Sequence, residues 1–310
     1  MLLDFLLLIA SLAIVIKSAD FTVRYSTKIA EGFKLPKYIV GFLIVAVISV
    51  LPEAMVSINA AIQGVPALGL GTLFGSNVAD LTLVLAITIF LANRGLKIEN
   101  RLLENKWFHI IAIAIPLLLG LNGSYSRFEG ILLIITGLSF YAYILRRNKS
   151  TVKTEREPFS YKNLFLFLLS LGVLILGANL AVQYGASLAE KLKINPVFVG
   201  MFIIGLGTIL PELTFSIKAV KQDHDDLALG DILGTVVADA TIVVGLIAII
   251  SPFSFAPQLI YVTGLFMFLA MVLLFYFMKS DKVLSKREAL YLILFYILFV
   301  IAELFFSGLY

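Results

Sequence analysis

Residues 51–80 read LPEAMVSINAAIQGVPALGLGTLFGSNVAD, and residues 210–239 read LPELTFSIKAVKQDHDDLALGDILGTVVAD. The two stretches belong to a longer duplication, because a shift of 159 residues aligns residues 19–85 with residues 178–244 without a gap. This alignment contains 25 identities in 67 positions, more than shared hydrophobicity explains. The chain is therefore built from two related halves.

The composition places both halves in a membrane. Of the 310 residues, 60% are hydrophobic and 14% are charged, and the mean hydropathy is +1.02. Soluble domains carry about 45–50% apolar and about 25% charged residues. The apolar runs are long enough for spanning helices rather than barrel strands. We therefore expect an all-α membrane protein in contact with the lipid bilayer and with no nucleic acid. The absence of cysteine excludes disulfides and thiolate metal sites.

Ten stretches are apolar over most of the roughly 20 residues that a spanning helix needs, although the fourth is shorter. They are residues 2–23, 38–62, 68–91, 107–121, 128–145, 162–188, 197–217, 227–250, 257–278 and 288–308. An even number of spans puts the two termini on the same side of the membrane.

Basic residues assign the sides. The connections after the first, third, fifth, seventh and ninth spans hold 20 of the 24 Lys and Arg residues, and the opposite side holds three. Cytoplasmic loops are enriched in Lys and Arg. The distribution therefore predicts a multi-pass protein of the cell membrane with both termini extracellular.

Five spans separate equivalent positions of the two halves. Since five is odd, the second half enters the membrane from the opposite face. The sequence thus predicts ten transmembrane helices as two inverted five-helix repeats: residues 1–145, a cytoplasmic linker at 146–161, and residues 162–310. Inverted repeats are typical of secondary transporters, whose substrate sites lie at the repeat interface near the midplane.

Four carboxylates lie deep inside the predicted spans: Glu53, Asp80, Glu212 and Asp239. They form two repeat-related pairs, because the shift of 159 converts positions 53 and 80 into 212 and 239. Charged groups inside a membrane are costly and usually functional. Structural acids satisfied by hydrogen bonds are the alternative interpretation, and the symmetry of the two pairs argues against it.

Hydroxyl groups share helical faces with these acids, since residues three and four apart are neighbours on a helix. They are Ser49 and Ser57 beside Glu53, Thr208 and Ser216 beside Glu212, Ser76 before Asp80, and Thr235 before Asp239. Such an all-oxygen site suits a hard cation. Ca²⁺ accepts about 6–8 oxygens in irregular geometry, whereas Mg²⁺ demands a near-ideal octahedron and Zn²⁺ or Cu²⁺ favours nitrogen or sulfur.

These residues resemble the signatures of the cation/calcium exchanger superfamily, and the whole chain is similar to archaeal and bacterial sodium/calcium exchangers. The family signature resembles Gly-Thr-Ser-x-Pro-Glu, followed by Gly-Ser-Asn-x-x-Asn or -Asp. Residues 48–53 and 75–80 read ISVLPE and GSNVAD, and residues 207–212 and 234–239 read GTILPE and GTVVAD. The resemblance implies an antiporter that extrudes Ca²⁺ by alternating access, with the first and sixth helices sliding across the core and no cofactor.

The resemblance also implies roles for individual residues. They are Glu53 and Glu212 as central calcium ligands, Ser49 and Thr208 as hydroxyl or backbone ligands beside them, Asp80 and Asp239 lining the central site, Ser76 and Thr235 at flanking sodium sites, and the carbonyls of Ala46 and Gly205 as further sodium ligands.

Two departures from the family pattern bear on the counter-ion. The family serine before Leu-Pro-Glu is Val50 in one half and Ile209 in the other, and neither offers a hydroxyl to sodium. Dehydrating Na⁺ without replacing its oxygens costs several kcal/mol. Asp80 stands where the family has asparagine, and protons can relieve the added negative charge. The resemblance therefore favours Na⁺ as the counter-ion, and these residues favour H⁺.

An intramembrane metal-dependent or aspartyl enzyme is the alternative function. Residues 228–231 (ALGD) resemble a protease Gly-x-Gly-Asp motif, but the chain contains no Tyr-Asp partner motif. The repeat partner of Asp231 is Thr72, so we interpret Asp231 as a vestibule or helix-end acid. We expect an antiporter rather than an enzyme, and we expect Glu303 and His109 at the membrane interface.

Overall fold

The computed structural model describes residues 2–32, 50–98, 100–147, 160–280 and 282–306 and is mostly helical. The helices are α1 Leu2–Gly32, α2 Leu51–Ile62, α3 Pro66–Ala92, α4 Asn100–Glu104, α5 Lys106–Leu119, α6 Arg127–Arg147, α7 Tyr161–Leu192, α8 Pro196–Lys221, α9 Asp225–Ile250, α10 Ile260–Ser280 and α11 Lys286–Phe306. The strands are β1 Leu96–Lys97, β2 Ser124–Tyr125, β3 Phe253–Ser254 and β4 Val283–Leu284.

Eight of these helices are long and apolar enough to cross a membrane: α1, α3, α6, α7, α8, α9, α10 and α11. At the other two predicted spans lie shorter apolar helices, α2 and Lys106–Asn122, in which a 3₁₀ turn extends α5. Residues 33–49, which belong largely to the second predicted span, and residues 148–159 of the predicted linker lie outside the described residues. The helical membrane class is confirmed, and the number of ten spans stays a prediction.

The duplicated sequence forms duplicated local structure. Three pairs of segments have the same bounds after the shift of 159 residues: Leu51–Ile62 with Leu210–Lys221, Pro66–Ala79 with Asp225–Ala238, and the π-helical Asp80–Val84 with Asp239–Val243. Pro52 and Pro211 occupy the first turns of the first pair. Proline lacks the N–H that a helix interior needs but fits a helix start. This explains why α8 is interrupted at Ile209, two residues before Pro211.

Helices α3 and α9 form the centre of the molecule. In their most apolar stretches, 83% and 78% of residues are buried, against 28% for α11. Small residues let α3 pack closely on α8. A Cβ added at Gly71 would lie 2.5 Å from the carbonyl oxygen of Val197, and one at Gly75 would lie 2.8 Å from that of Met201. Only glycine permits this approach of the two backbones.

Helices α1 and α7 pack against each other along their length. A Cβ added at Gly177 would lie 2.9 Å from the side chain of Ile14. Asp4 at the start of α1 pairs with Lys191 at the end of α7, with 2.7 Å between Oδ1 and Nζ. The two helices are therefore antiparallel.

Contacts between loops divide the connections into two ends. At one end β1 pairs with β4, and the Arg94 guanidinium donates to both carboxylate oxygens of Asp225 at 2.7 Å. The hydrogen bonds that Arg94 donates to Asp225 raise the pKa of Arg94. At the other end β2 pairs with β3, and Tyr125 packs against Phe253 and Phe255. The connections after α3, α8 and α10 thus meet at one end, and those after α5 and α9 meet at the other.

Candidate functional site

All four predicted carboxylates are buried. Glu53, Asp80 and Glu212 are each 1% exposed, and Asp239 is 0% exposed. Among the described residues, their eight carboxylate oxygens have no hydrogen-bond partner, although the side chain of Thr208 lies near Glu53. No ion pair among the described residues involves them. Burying a carboxylate is costly unless a cation or proton neutralises it.

The two glutamates occupy equivalent places in the fold. Glu53 lies in the first turn of α2, and Glu212 lies in the first turn after the interruption of α8. Both follow a proline, whose missing N–H is tolerated at a helix start. A carboxylate at a helix N-terminus is favoured by the helix dipole. The Leu-Pro-Glu motif therefore positions an acid at the start of a helix in each half.

The two aspartates open the π-helical segments of α3 and α9. Such segments frequently accompany functional sites, because the wider turn changes the aim of side chains and carbonyls. Neither segment could be predicted from the sequence, since no residue pattern in either one distinguishes a π turn from an α turn.

The fold brings the four acids into mutual electrostatic contact. Asp80 and Asp239 both interact with Glu53, and Glu212 interacts with Glu53 and Asp80. In the described part of the chain, however, no three carboxylate or imidazole groups are arranged to hold one metal ion. A Ca²⁺ ion here would therefore take much of its shell of about 6–8 oxygens from hydroxyl and carbonyl groups.

The predicted hydroxyl and carbonyl ligands differ in availability. Thr208 Oγ1 donates to the Gly205 carbonyl at 3.1 Å, and that carbonyl also accepts the N–H of Ile209 at 3.3 Å. Ser76 Oγ donates to the Leu73 carbonyl at 3.0 Å. The fully buried Thr235 hydroxyl has no partner.

The remaining positions are two predicted ligands and the two residues that replace the family serine. Ser49 and Ala46 lie outside the described residues. Val50 and Ile209 are buried, at 8% and 3% exposed, so apolar side chains occupy the interior where the family pattern has serine.

The structure adds Asp231 to the surroundings of the four acids. We expected a vestibule or helix-end acid, and Asp231 is 3% exposed and interacts electrostatically with Glu53, Asp80 and Glu212. The signal in the sequence is its spacing: Asp231, Thr235 and Asp239 follow one another at intervals of four residues on one helix.

Two further residues are buried where we expected them at the interface. Glu303 is 2% exposed and accepts a 2.5 Å hydrogen bond from Thr263. His109 is 5% exposed and packs against Phe140 and Phe275. Neighbouring helices cover both side chains, and their depth in the membrane stays a prediction.

Comparisons with known proteins agree with this architecture. The chain is 27% identical over 271 residues to the inner membrane protein YrbG of Escherichia coli, with 83% of each protein covered. It is 22% identical over 342 residues to the sodium/calcium exchanger MaX1 of Methanosarcina acetivorans, with 96% of this chain and 97% of MaX1 covered.

Solved structures share the fold. The sodium-calcium exchanger NCX_Mj superposes with a TM-score of 0.68 at 21% identity, covering 96% of this chain and 98% of NCX_Mj. The H⁺/Ca²⁺ exchanger CAX superposes with a TM-score of 0.76 at 17% identity, covering 98% of this chain and 82% of CAX. The family described as sodium/calcium exchanger protein matches residues 3–145 and 162–305, which together form most of the chain. The chain belongs to the sodium/calcium exchanger protein family.

Proposed function

We propose that this protein is a secondary antiporter that exchanges Ca²⁺ against a monovalent cation by alternating access. The observation that carries the proposal is the set of four buried carboxylates, in two repeat-related pairs, with no basic partner among the described residues. Related proteins named sodium/calcium and H⁺/Ca²⁺ exchangers support it. The family is one of exchangers, so we do not carry the enzyme alternative further.

The proposed architecture is ten spans in two inverted five-helix repeats, residues 1–145 and 162–310, joined by a linker at 146–161. The equal bounds of the duplicated segments support it. So does a contact between Asn77 and Val236, whose positions differ by the repeat shift of 159. Equivalent residues of two repeats meet only close to the axis that relates them. The Asn77 side-chain amide lies 3.5 Å from the Val236 carbonyl.

The proposed orientation has both termini outside and Ca²⁺ leaving the cell. The basic connections after α3, α8 and α10 meet at one end, where Arg94 binds Asp225 and β1 pairs with β4. The weakly basic connections after α5 and α9 meet at the other end. Cytoplasmic loops are enriched in Lys and Arg, so the first end is the cytoplasmic one.

The proposed calcium ligands are Glu53 and Glu212, with Asp80 and Asp239 lining the same site. Two carboxylates supply enough charge to neutralise one Ca²⁺ ion, and hydroxyl and carbonyl oxygens fill the rest of its shell. Ser49 and Thr208 are proposed as hydroxyl or backbone ligands beside the glutamates. The proposed ligands of the flanking monovalent-cation sites are Ser76 and Thr235, with the carbonyls of Ala46 and Gly205.

We propose the proton as the counter-ion. Val50 and Ile209 are buried and offer no hydroxyl to Na⁺, while Asp80 adds a carboxylate that a proton can neutralise. Similarity to sodium/calcium exchangers makes Na⁺ the competing candidate.

Reconstitution into proteoliposomes tests both the proposed Ca²⁺ antiport and its coupling to protons. Uptake of ⁴⁵Ca²⁺ is measured under an imposed pH gradient without Na⁺, and under an imposed Na⁺ gradient at equal pH on both sides. We expect the pH gradient to drive uptake and Ca²⁺ entry to release protons, which a pH-sensitive dye reports. Glu53→Gln provides the inactive control.

The possible results distinguish failure of proton coupling from failure of Ca²⁺ antiport. Uptake driven by Na⁺ with no proton movement would contradict proton coupling and leave Ca²⁺ antiport standing. Absence of uptake under either gradient, with protein that elutes as a single species on size exclusion, would contradict the antiporter proposal.

A further inference from the structure

The two halves differ at one buried position beside the central acids. Asp231 on α9 corresponds to Thr72 on α3 after the shift of 159 residues. Thr72 is fully buried and donates its hydroxyl to the Leu68 carbonyl at 3.0 Å. Asp231 is 3% exposed and interacts electrostatically with Glu53 and Glu212. The second half thus adds a carboxylate where the first half has a hydroxyl bound to its own helix.

The hydroxyl groups around this position also differ between the two halves in their hydrogen bonds. In the first half, Ser57 donates to the Gly69 carbonyl at 3.2 Å. Its equivalent, Ser216, is fully buried and has no hydrogen-bond partner in the part of the chain that the structure describes. The repeat equivalent of Gly69 is Ala228, so the repeat relation puts Ser216 opposite Ala228. Ala228 lies one helical turn before Asp231.

Thr235, already among the proposed ligands, adds a second available hydroxyl. It lies one turn after Asp231 on the same face of α9, is fully buried, and has no hydrogen-bond partner among the described residues. Buried hydroxyls are nearly always hydrogen-bonded in folded proteins. Two unsatisfied ones, on the helix of Asp231 and on the part of α8 that packs against it, therefore indicate a ligand position.

The position lies between the cytoplasmic end and the central site. Helix α9 begins at Asp225, which binds Arg94 at the cytoplasmic end. At about 1.5 Å per residue, Asp231 lies roughly 9 Å along the helix and Asp239 roughly 21 Å along it. Tyr141 of α6 covers this stretch and donates to the Gly234 carbonyl at 2.8 Å.

We propose that Asp231, Ser216 and Thr235 form an accessory Ca²⁺ position on the cytoplasmic side of the central carboxylates. It loads the exchanger from the cytoplasm and has no counterpart on the outer side. The proposal rests on the exchange activity and orientation proposed above.

The chemistry of the position suits a staging role rather than tight binding. One carboxylate and two hydroxyls supply fewer oxygens than the about 6–8 that Ca²⁺ requires, so the ion keeps part of its water shell. A buried negative group between the cytoplasmic end and the central site raises the local concentration of cations. The position therefore lowers the KM for Ca²⁺ on the cytoplasmic side and leaves the outer KM unchanged.

Measurement of KM from each side tests this asymmetry. The protein is expressed in everted membrane vesicles, which expose the cytoplasmic face, and in right-side-out vesicles, which expose the outer face. Uptake of ⁴⁵Ca²⁺ is followed over a range of CaCl₂ concentrations at low ionic strength. For Asp231→Asn we expect the KM in everted vesicles to rise about tenfold and the KM in right-side-out vesicles to change by less than about twofold.

Matched variants separate loss of the Asp231 carboxylate from a general loss of negative charge or of folding. Asp226→Asn removes an exposed acid of the same helix and should leave both values unchanged. Asp231→Glu should restore part of the cytoplasmic affinity. Asp231→Thr installs the residue of the first half, offers a second variant if Asn impairs folding, and should reproduce the one-sided loss.

Each alternative outcome is decisive. An equal rise of KM from both sides, or no change for well-folded Asp231→Asn and Asp231→Thr proteins, would overturn the accessory position. Absence of wild-type uptake would count against the proposed exchange activity instead. Addition of KCl should shrink the one-sided effect, because the Debye length falls to about 8 Å at 0.15 M salt.

Discussion

The helix pair α2–α3 and its counterpart, the second part of α8 with α9, share their bounds and differ in how their buried oxygens are satisfied. In the first pair, the hydroxyls of Ser57, Thr72 and Ser76 all donate to backbone carbonyls. In the second pair, Ser216 and Thr235 have no partner, and Asp231 replaces the threonine. The two halves therefore share the framework of the site and differ in how its buried polar groups are satisfied.

The largest expected effect comes from the acids that both halves share. Glu53→Gln and Glu212→Gln should each reduce Ca²⁺ exchange by roughly 100-fold or more, since even outer-shell groups of metal sites are worth about 10–100-fold. Proteoliposome uptake provides the measurement, and Glu190→Gln, at an exposed position of α7, provides the control. Normal exchange by either variant would show that the two halves do not contribute equally to one site.

The next effect concerns packing between the halves. Gly75→Ala should destabilise the protein by roughly 1–3 kcal/mol, because its Cβ would lie 2.8 Å from the Met201 backbone. Thermal unfolding in detergent measures the loss. Gly172→Ala, on an exposed face of α7 with no atom within 4 Å of the new Cβ among the described residues, should be neutral or slightly stabilising.

Smaller effects are expected at the equivalent serines Ser57 and Ser216. One substitution should affect stability and the other should affect the KM for Ca²⁺. Ser57→Ala breaks a hydrogen bond to Gly69 and should cost about 1 kcal/mol of stability with an unchanged KM. Ser216→Ala removes a hydroxyl without a partner, so stability should stay the same and the cytoplasmic KM for Ca²⁺ should rise by roughly fivefold. If both serines affect only stability, the hydroxyl of Ser216 has no role in transport.

The smallest effect is expected at Tyr141, which the shift of 159 pairs with Val300. Tyr141→Phe removes the hydrogen bond to the Gly234 carbonyl and should cost about 0.5–1.5 kcal/mol of stability. Melting temperature and Ca²⁺ uptake are measured on the same preparation, and uptake should change by less than about twofold. A large loss of uptake would place the Tyr141 hydroxyl in the ion path.

Much of the fold and the candidate site could be predicted from local information. The excess of apolar residues dictates a helical membrane protein, because a backbone in lipid must satisfy its own hydrogen bonds. The repeat spacing identified Glu53, Asp80, Glu212 and Asp239, and all four are buried in the structure. The span predicted at residues 197–217 is interrupted at Ile209, because Pro211 lacks the donor that a helix interior requires.

Tertiary packing decided what the sequence could not. Asp231, His109 and Glu303 are buried because helices distant in the chain cover them, whereas their sequence positions suggested helix ends and interfaces. The same holds for Ser57 and Ser216, which are equivalent in the repeat but differ in whether a carbonyl lies within reach. The sequence determined which groups enter the membrane and in what order. The fold decided which of them are satisfied by the protein and which are left for an ion, since hydrogen-bond partners and burial depend on contacts between distant segments.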